Sequence, residues 1–139
     1  MVVGVFPAHL QTLTYSINHH RFRSSPEIII DGEYSNASDV WGFGVLIWEM
    51  FTLLDKELNE SDEEVSSLPY HQLSSKEEIL SYLTQRKRLG QPKSCPDWIY
   101  EMMLECWAYN TEDRLKCEDI EHRIKEQVQS TTTDEDQHE

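Results

Sequence analysis

Basic residues are scarce in this chain of 139 residues, in which 12 Lys plus Arg stand against 26 Asp plus Glu and the formal net charge is −14. We therefore expect no nucleic-acid partner, because binding a phosphate backbone requires a concentrated basic face. The one basic cluster, Arg86-Lys87-Arg88, stands where a helix is expected to end, where cations favour the helix dipole. Two acidic runs, residues 55–64 and 134–139, are typical of solvated loops or tails.

Cysteine is rare as well, and its spacing excludes a metal centre. The chain has three cysteines, at positions 95, 106 and 117, which form no Cys-x-x-Cys pair and leave an odd thiol. This pattern predicts a reduced, intracellular setting. The six histidines show no zinc-ligand spacing, since His19 and His20 are adjacent and no H-E-x-x-H motif is present. We expect no metal in this chain.

No hydrophobic run reaches the roughly 20 residues that a bilayer span requires. The longest run, residues 40–54, contains Glu49, and we expect no membrane contact from it. Its apolar side chains lie on every side of a helix, and such a helix has to be enclosed by other elements. The run predicts a core helix with Ser35 as its N-cap, in which Gly42 and Gly44 let neighbouring backbone approach.

The remaining patterns predict a mainly α protein. Residues 1–20 carry no charged side chain and no sustained period, so we expect an irregular segment there. Pro26 and the Asp31-Gly32 turn signal enclose a short helical turn. Three further helices are predicted by capping signals and apolar spacing: residues 76–87, which Ser75 opens and which Gly90 and Pro92 end, residues 96–107, and residues 117–129. Residues 130–139 read as a disordered acidic tail.

Three motifs occur in a fixed order: Ser25-Pro26-Glu27, SDVWGFGVLIWEMFTL at 38–53, and CPDWIYEMMLECWAYNTEDR at 95–114. Together they resemble the C-terminal half of the large lobe of protein tyrosine kinases. The resemblance implies a partial protein-kinase-like fold, a helical C-lobe fragment that lacks the N-lobe. Its parts would be a remnant of the activation-segment region (1–20), the lobe fragment (21–129) with an acidic insert (55–68), and the tail (130–139).

The resemblance also implies two structural roles. Glu27 and Arg114 match residues that form a buried ion pair in the family, so they would act as a structural latch between the substrate-side loop and the helical base. The alternative is that both are solvated surface charges. Asp39 matches the residue that holds the backbone of the catalytic loop in the family; an acid that only favours the helix dipole explains it equally well.

The residues of phosphoryl transfer are missing from the sequence. Kinase chemistry requires a Gly-rich loop, a strand Lys, a catalytic-loop Asp and Asn, and the Asp of a D-F-G triplet. The only G-x-G, Gly42-Phe43-Gly44, lies inside the predicted core helix, and His19-His20-Arg21 is not followed by Asp. We therefore assign no catalytic, cofactor-binding or metal-binding residue; ATP and magnesium are expected only for a complete parent kinase.

The substrate-side loop, Phe22, Arg23, Ser24 and Ser25, departs from the family. Arg23 stands where tyrosine kinases usually have Trp, which affects the surface that accepts the substrate tyrosine. Tyr15 falls in the activation-segment region, where it is either a regulatory phosphotyrosine or an ordinary loop tyrosine.

Two functions follow from the resemblance. The chain is either a fragment of a protein tyrosine kinase domain, inactive by itself, or a non-catalytic pseudokinase-like interaction module. Its partners would be protein substrates or regulatory proteins of the parent kinase. Its location would be cytoplasmic, either cytosolic or as the cytoplasmic part of a membrane receptor. A partial lobe should also expose apolar surface where the missing half docks.

Overall fold

The computed structural model describes residues 22–59 and 68–136, and the regular structure within these ranges is helical. This confirms the mainly α prediction. The elements follow in chain order: α1 (Pro26–Asp31), α2 (Asn36–Leu58), α3 (Lys76–Thr84), α4 (Asp97–Cys106), the 3-10 turn η1 (Thr111–Asp113) and α5 (Cys117–Asp136). The predictions for residues 1–20, Tyr15 included, lie outside the described residues.

Helix α2 begins as its sequence predicts and ends later. The Ser35 side chain accepts a hydrogen bond from the Ser38 amide at 3.2 Å, and the Ser38 hydroxyl accepts one from the Ser35 amide at 2.7 Å. This reciprocal cap satisfies two amides that the first turn leaves without helical partners. The helix continues to Leu58, so residues 55–58 are helical rather than part of a loop insert.

The core includes the contact between α2 and α4, which pack against each other. Trp41, Val45 and Trp48 of α2 are buried, as are Met102 and Met103 of α4. Gly44 permits this contact, because a Cβ there would lie 2.7 Å from the Trp107 Nε1 atom. Gly42 has no such role, since the nearest atom to its ideal Cβ is the Arg23 carbonyl oxygen at 4.0 Å.

One face of α2 is exposed, and the prediction of an enclosed helix is wrong along it. This α2 outer face consists of Phe43, Leu46, Met50, Leu53 and Leu54, which are between 37% and 61% exposed. The spacing puts these side chains on one side of the helix, away from α4. Helix α2 is long and apolar enough to cross a membrane by length and composition. The core helices of soluble proteins can have the same length and apolar composition. Helix α2 packs against α4, as a core helix does.

Two helices end at other positions than predicted. Helix α3 ends at Thr84, three residues early, and Arg86 then takes a left-handed φ of 64°. Gly90 and Pro92 therefore lie beyond the break and do not cause it. Helix α5 continues to Asp136, so residues 130–136 of the expected disordered tail are helical, and residues 137–139 lie outside the described residues. No Gly or Pro interrupts this stretch, and the hydroxyls of Thr131, Thr132 and Thr133 bond to carbonyls four residues earlier at 2.9 Å.

Candidate functional site

Arg114 follows η1, and its side chain is completely buried. Its Nε donates to the Ala108 carbonyl at 2.7 Å, and its Nη2 donates to the Tyr109 carbonyl at 3.1 Å. Its Nη1 also donates to the Ala37 carbonyl in the first turn of α2 at 3.1 Å. These bonds fix the guanidinium between η1 and α2, and they partly offset the cost of burying its charge.

Glu27 meets this guanidinium from α1. Pro26 at the first position starts the helix, and Glu27 follows in the first turn. The Glu27 Oε1 atom lies 2.5 Å from Arg114 Nη1, and the same nitrogen donates to Oε2 at 2.9 Å. The Glu27 side chain is 21% exposed, so the two residues do not form a pair of solvated surface charges. The contact joins α1 to the segment around η1, 87 positions along the chain.

Two arginines lie over the indole ring of Trp41. The Cζ atom of Arg114 is 5.0 Å from the ring centroid and that of Arg88 is 5.4 Å away. Arg88 donates to the Trp107 and Leu83 carbonyls, each at 2.9 Å. Burial lowers the pKa of Arg88 from its ordinary value, while a cation over an indole face gains electrostatic energy. Arg88 therefore links the end of α3 to the core.

The substrate-side loop, residues 22–25, is held against α2. Phe22 packs against the core, and Ser24 and Ser25 are buried. Arg23 binds both carboxylate oxygens of Glu49, with Nε 2.6 Å from Oε1 and Nη2 2.7 Å from Oε2. A forked, two-bond pair of this kind fixes the direction of both side chains. Arg23, which stands where tyrosine kinases usually have Trp, is therefore bonded to α2.

Asp39 is exposed in the first turn of α2. Its amide donates to the Ser35 carbonyl at 3.1 Å as part of the helix start. The residue lines a cavity of about 230 Å³ together with Arg23 and Tyr34. It also lines a second, apolar cavity of about 310 Å³ with Phe43 and Cys117. Asp39 therefore borders the substrate-side loop and has one carboxylate to offer a partner there.

A third cavity, of about 470 Å³, lies between the end of α2 and the loop before α4. The acidic residue that lines this cavity is Asp55. Its carboxylate accepts hydrogen bonds from the amides of Lys93 at 2.7 Å and Ser94 at 2.8 Å. Within residues 22–59 and 68–136, no three His, Cys, Asp or Glu side chains group as a metal site. Magnesium held with ATP needs carboxylates aimed at a phosphate cradle. These donor sets do not fit that group.

Sequence reasoning missed three of these contacts. The Arg23–Glu49 pair joins residues 26 positions apart, and neither residue carries a local signal of the other. Arg88 belongs to the basic cluster of residues 86–88, for which the sequence indicates only a favourable charge at a helix end. Its contacts with the core are not visible in the sequence. Asp55 falls in an acidic run that reads as a solvated loop.

Comparisons with known proteins show which family this sequence resembles. The sequence profile described as protein tyrosine and serine/threonine kinase matches residues 14–124. The inactive tyrosine-protein kinase RYK of Caenorhabditis elegans is 36% identical over 122 residues, which cover 88% of this chain and 19% of that protein. The insulin-like growth factor 1 receptor of Bos taurus is 34% identical over 106 residues, 76% of this chain and 14% of the receptor. The inactive tyrosine-protein kinase 7 of Mus musculus is 32% identical over 114 residues, 76% and 10% respectively.

These relatives include proteins named as inactive kinases alongside a receptor. The chain spans less than a quarter of the length of each of the three. The matched part contains Pro26 and Glu27 at the start of α1, the core helix α2, and Cys106 and Trp107 at the end of α4, in the same order as in the sequence motifs. The chain belongs to the protein tyrosine and serine/threonine kinase family and corresponds to part of the helical lobe of its kinase domain.

Proposed function

We propose that this chain supplies the helical base of a tyrosine-kinase-like domain and does not transfer phosphate by itself. The observation that carries this proposal is the exposed α2 outer face. It lies on the most apolar of the described helices. A fragment of a domain should expose such a surface where the rest of the domain covers it. A contiguous apolar face of this kind marks a contact surface, because water disfavours it.

The complete domain would transfer the γ-phosphoryl group of ATP to tyrosine on protein substrates. ATP and magnesium would bind to parts of the domain that this sequence does not contain. In that setting, the Glu27–Arg114 pair acts as the latch between the substrate-side loop and the base. Asp39, which borders the same loop, is the candidate anchor for the backbone of the catalytic loop. The location proposed for such a domain is the cytoplasm.

The alternative is a non-catalytic, pseudokinase-like module that binds regulatory proteins. The Arg23–Glu49 pair favours it, because Arg23 replaces the Trp of the substrate-accepting surface and is held on α2. The names of two of the relatives, which describe inactive kinases, point the same way.

The contact surface can be tested with charge-matched variants of the full chain. Leu46→Glu with Met50→Glu adds two negative charges to the α2 outer face, and Lys56→Glu changes the net charge equally outside it. Both changes are at exposed positions, so the fold should tolerate them. We expect the wild-type chain and Lys56→Glu to bind a hydrophobic dye and to self-associate in light scattering, and the double variant to do neither. A monomeric wild-type chain that binds no dye contradicts the proposal.

A second experiment addresses catalysis. Titration of the chain with ATP and magnesium should leave its thermal transition unchanged, whereas saturable, magnesium-dependent binding would contradict a non-catalytic base. The two functions are then separated by a chimera in which residues 22–136 replace the corresponding part of an active tyrosine kinase. An active chimera supports a fragment of an active domain. An inactive chimera that Arg23→Trp restores supports the interaction module.

A further inference from the structure

Tyr34 is the most exposed of the described tyrosines. The residue is 66% exposed, against 37% for Tyr109. Tyr70 is buried, and Tyr82 and Tyr100 are half-buried. An enzyme that modifies a tyrosine must surround the ring and reach its hydroxyl. Among the described tyrosines, Tyr34 offers the best access.

The segment that carries Tyr34 suits such recognition. Residues 32–35 have no helical structure and connect α1 to α2. Gly32 ends α1 with a left-handed φ of 69°, and Ser35 caps α2. Asp31 and Glu33 precede the tyrosine, which gives the segment a local negative charge that a basic substrate groove would attract.

A cation lies beside this tyrosine. Tyr34 and Arg23 line the same cavity of about 230 Å³. The Arg23 side chain is 42% exposed while it is bound to Glu49, so a second anion can reach it from solvent. The start of α2, one residue after Tyr34, adds the positive end of a helix dipole. Asp39 lines the same cavity and opposes these two groups.

We propose that Tyr34 is a phosphorylation site for a separate tyrosine kinase and that Arg23 moves from Glu49 to the new phosphate. In this step the Tyr34 hydroxyl oxygen forms a bond to the γ-phosphorus of ATP, and the bond from that phosphorus to the bridging oxygen breaks. ADP leaves, and the phenolic proton passes to the base of the modifying kinase. The phosphate carries close to two negative charges at pH 7 against one on Glu49, so it competes for the guanidinium.

The consequence is a switch in the substrate-side loop. Glu49 belongs to α2, whereas Tyr34 belongs to the segment before it, so the exchange breaks the contact of Arg23 with the middle of α2. This function is independent of the α2 outer face and goes beyond the proposed role of the chain as a helical base.

The site is tested first by phosphorylation of the full chain. Wild type, Tyr34→Phe and Tyr109→Phe are incubated with an active tyrosine kinase domain and ATP with magnesium, and the modified residue is located by fragment mass spectrometry. We expect phosphate on Tyr34 in wild type and in Tyr109→Phe, and none in that segment of Tyr34→Phe. Wild type that is modified only at other tyrosines, or not at all, overturns the proposal.

The role of Arg23 is tested by removal of the phosphate. A tyrosine phosphatase should act roughly 2- to 5-fold more slowly on the phosphorylated wild type than on phosphorylated Arg23→Gln, because an exposed ion pair of this kind protects by that factor. Glu49→Gln removes the competing carboxylate and should slow the phosphatase further. Equal rates for all three proteins overturn the transfer of Arg23 to the phosphate.

Discussion

Gly44 and Trp107 approach each other more closely than any side chain at position 44 would allow. A Cβ on Gly44 would lie 2.7 Å from Trp107 Nε1 and 3.0 Å from the Cys106 Cβ atom. Cys106 is the last residue of α4, and Trp107 follows it as the C-cap. Both are buried, so the clash falls where α2 and α4 pack together. We expect Gly44→Ala to lower the free energy of unfolding by about 1–3 kcal/mol, the usual cost of overpacking a core. Urea unfolding monitored by tryptophan fluorescence measures this loss.

Gly42 provides the control on the same helix. The nearest atom to its ideal Cβ lies at 4.0 Å, which is an ordinary contact distance. Gly42→Ala should therefore be neutral or stabilise by up to about 1 kcal/mol, because Ala favours the helix more than Gly does. Equal destabilisation by both substitutions would show that α2 and α4 do not pack as described.

Removal of the Glu27 carboxylate from the Glu27–Arg114 pair should lower the free energy of unfolding markedly. Glu27→Ala leaves the buried Arg114 charge with carbonyl partners only, and loss of one partner of a buried pair costs about 3 kcal/mol or more. We expect a loss of that size in urea unfolding. Glu33→Ala is the control, since Glu33 is exposed in the segment after α1, and it should change stability by less than about 0.5 kcal/mol. Similar effects of the two variants would remove the basis for a latch.

The local parts of this fold were predictable because they depend on neighbouring residues. Ser35 and Ser75 were identified as N-caps from their positions before helical stretches, and each accepts the amide three residues later. The core position of α2 followed from its composition. The exposure of one of its faces did not, because composition does not show whether the chain has enough elements to cover the helix.

The charged contacts of the candidate site were harder to predict. Asp55 lies in an acidic run, yet its carboxylate receives two amides from a loop 38 and 39 positions away. Arg23 finds Glu49 only because residues 22–25 cross the middle of α2. Such pairs depend on the tertiary arrangement, and a single sequence contains no period or spacing that reports them.

The three cysteines should differ sharply toward a thiol reagent. Cys117 is exposed at the start of α5, whereas Cys95 and Cys106 are buried. Burial raises the pKa of both buried thiols, that of Cys106 to about 12, which leaves little reactive thiolate near pH 8. We expect one cysteine to react rapidly in the native chain and all three to react in urea. Rapid labelling of Cys106 without denaturant would contradict the packing of α4 against α2.

Acid should weaken the chain through two carboxylates, Asp55 and Glu105. Desolvation opposes ionisation of Asp55, but its hydrogen bonds with Ser94 and Lys93 outweigh this and lower its pKa from the ordinary 3.8. The hydrogen bond from Arg123 lowers the pKa of Glu105 from the ordinary 4.5. A carboxyl whose pKa is depressed by folding stabilises the chain above the unfolded value, and this stability is lost as the pH falls through the folded value.

The window for this loss therefore opens at about pH 4.5 and continues below pH 3.8. Both groups are close to solvent, so each should contribute less than about 1 kcal/mol. Asp55→Asn and Glu105→Gln should lower stability at pH 7 and flatten its fall between pH 5 and about pH 3. Glu112→Gln, at an exposed position of η1, should leave the profile unchanged. Urea unfolding at each pH measures the profiles. The two variants could instead lose stability with acid as steeply as wild type. In that case Asp55 does not stabilise the end of α2, and Glu105 does not stabilise the contact between α4 and α5.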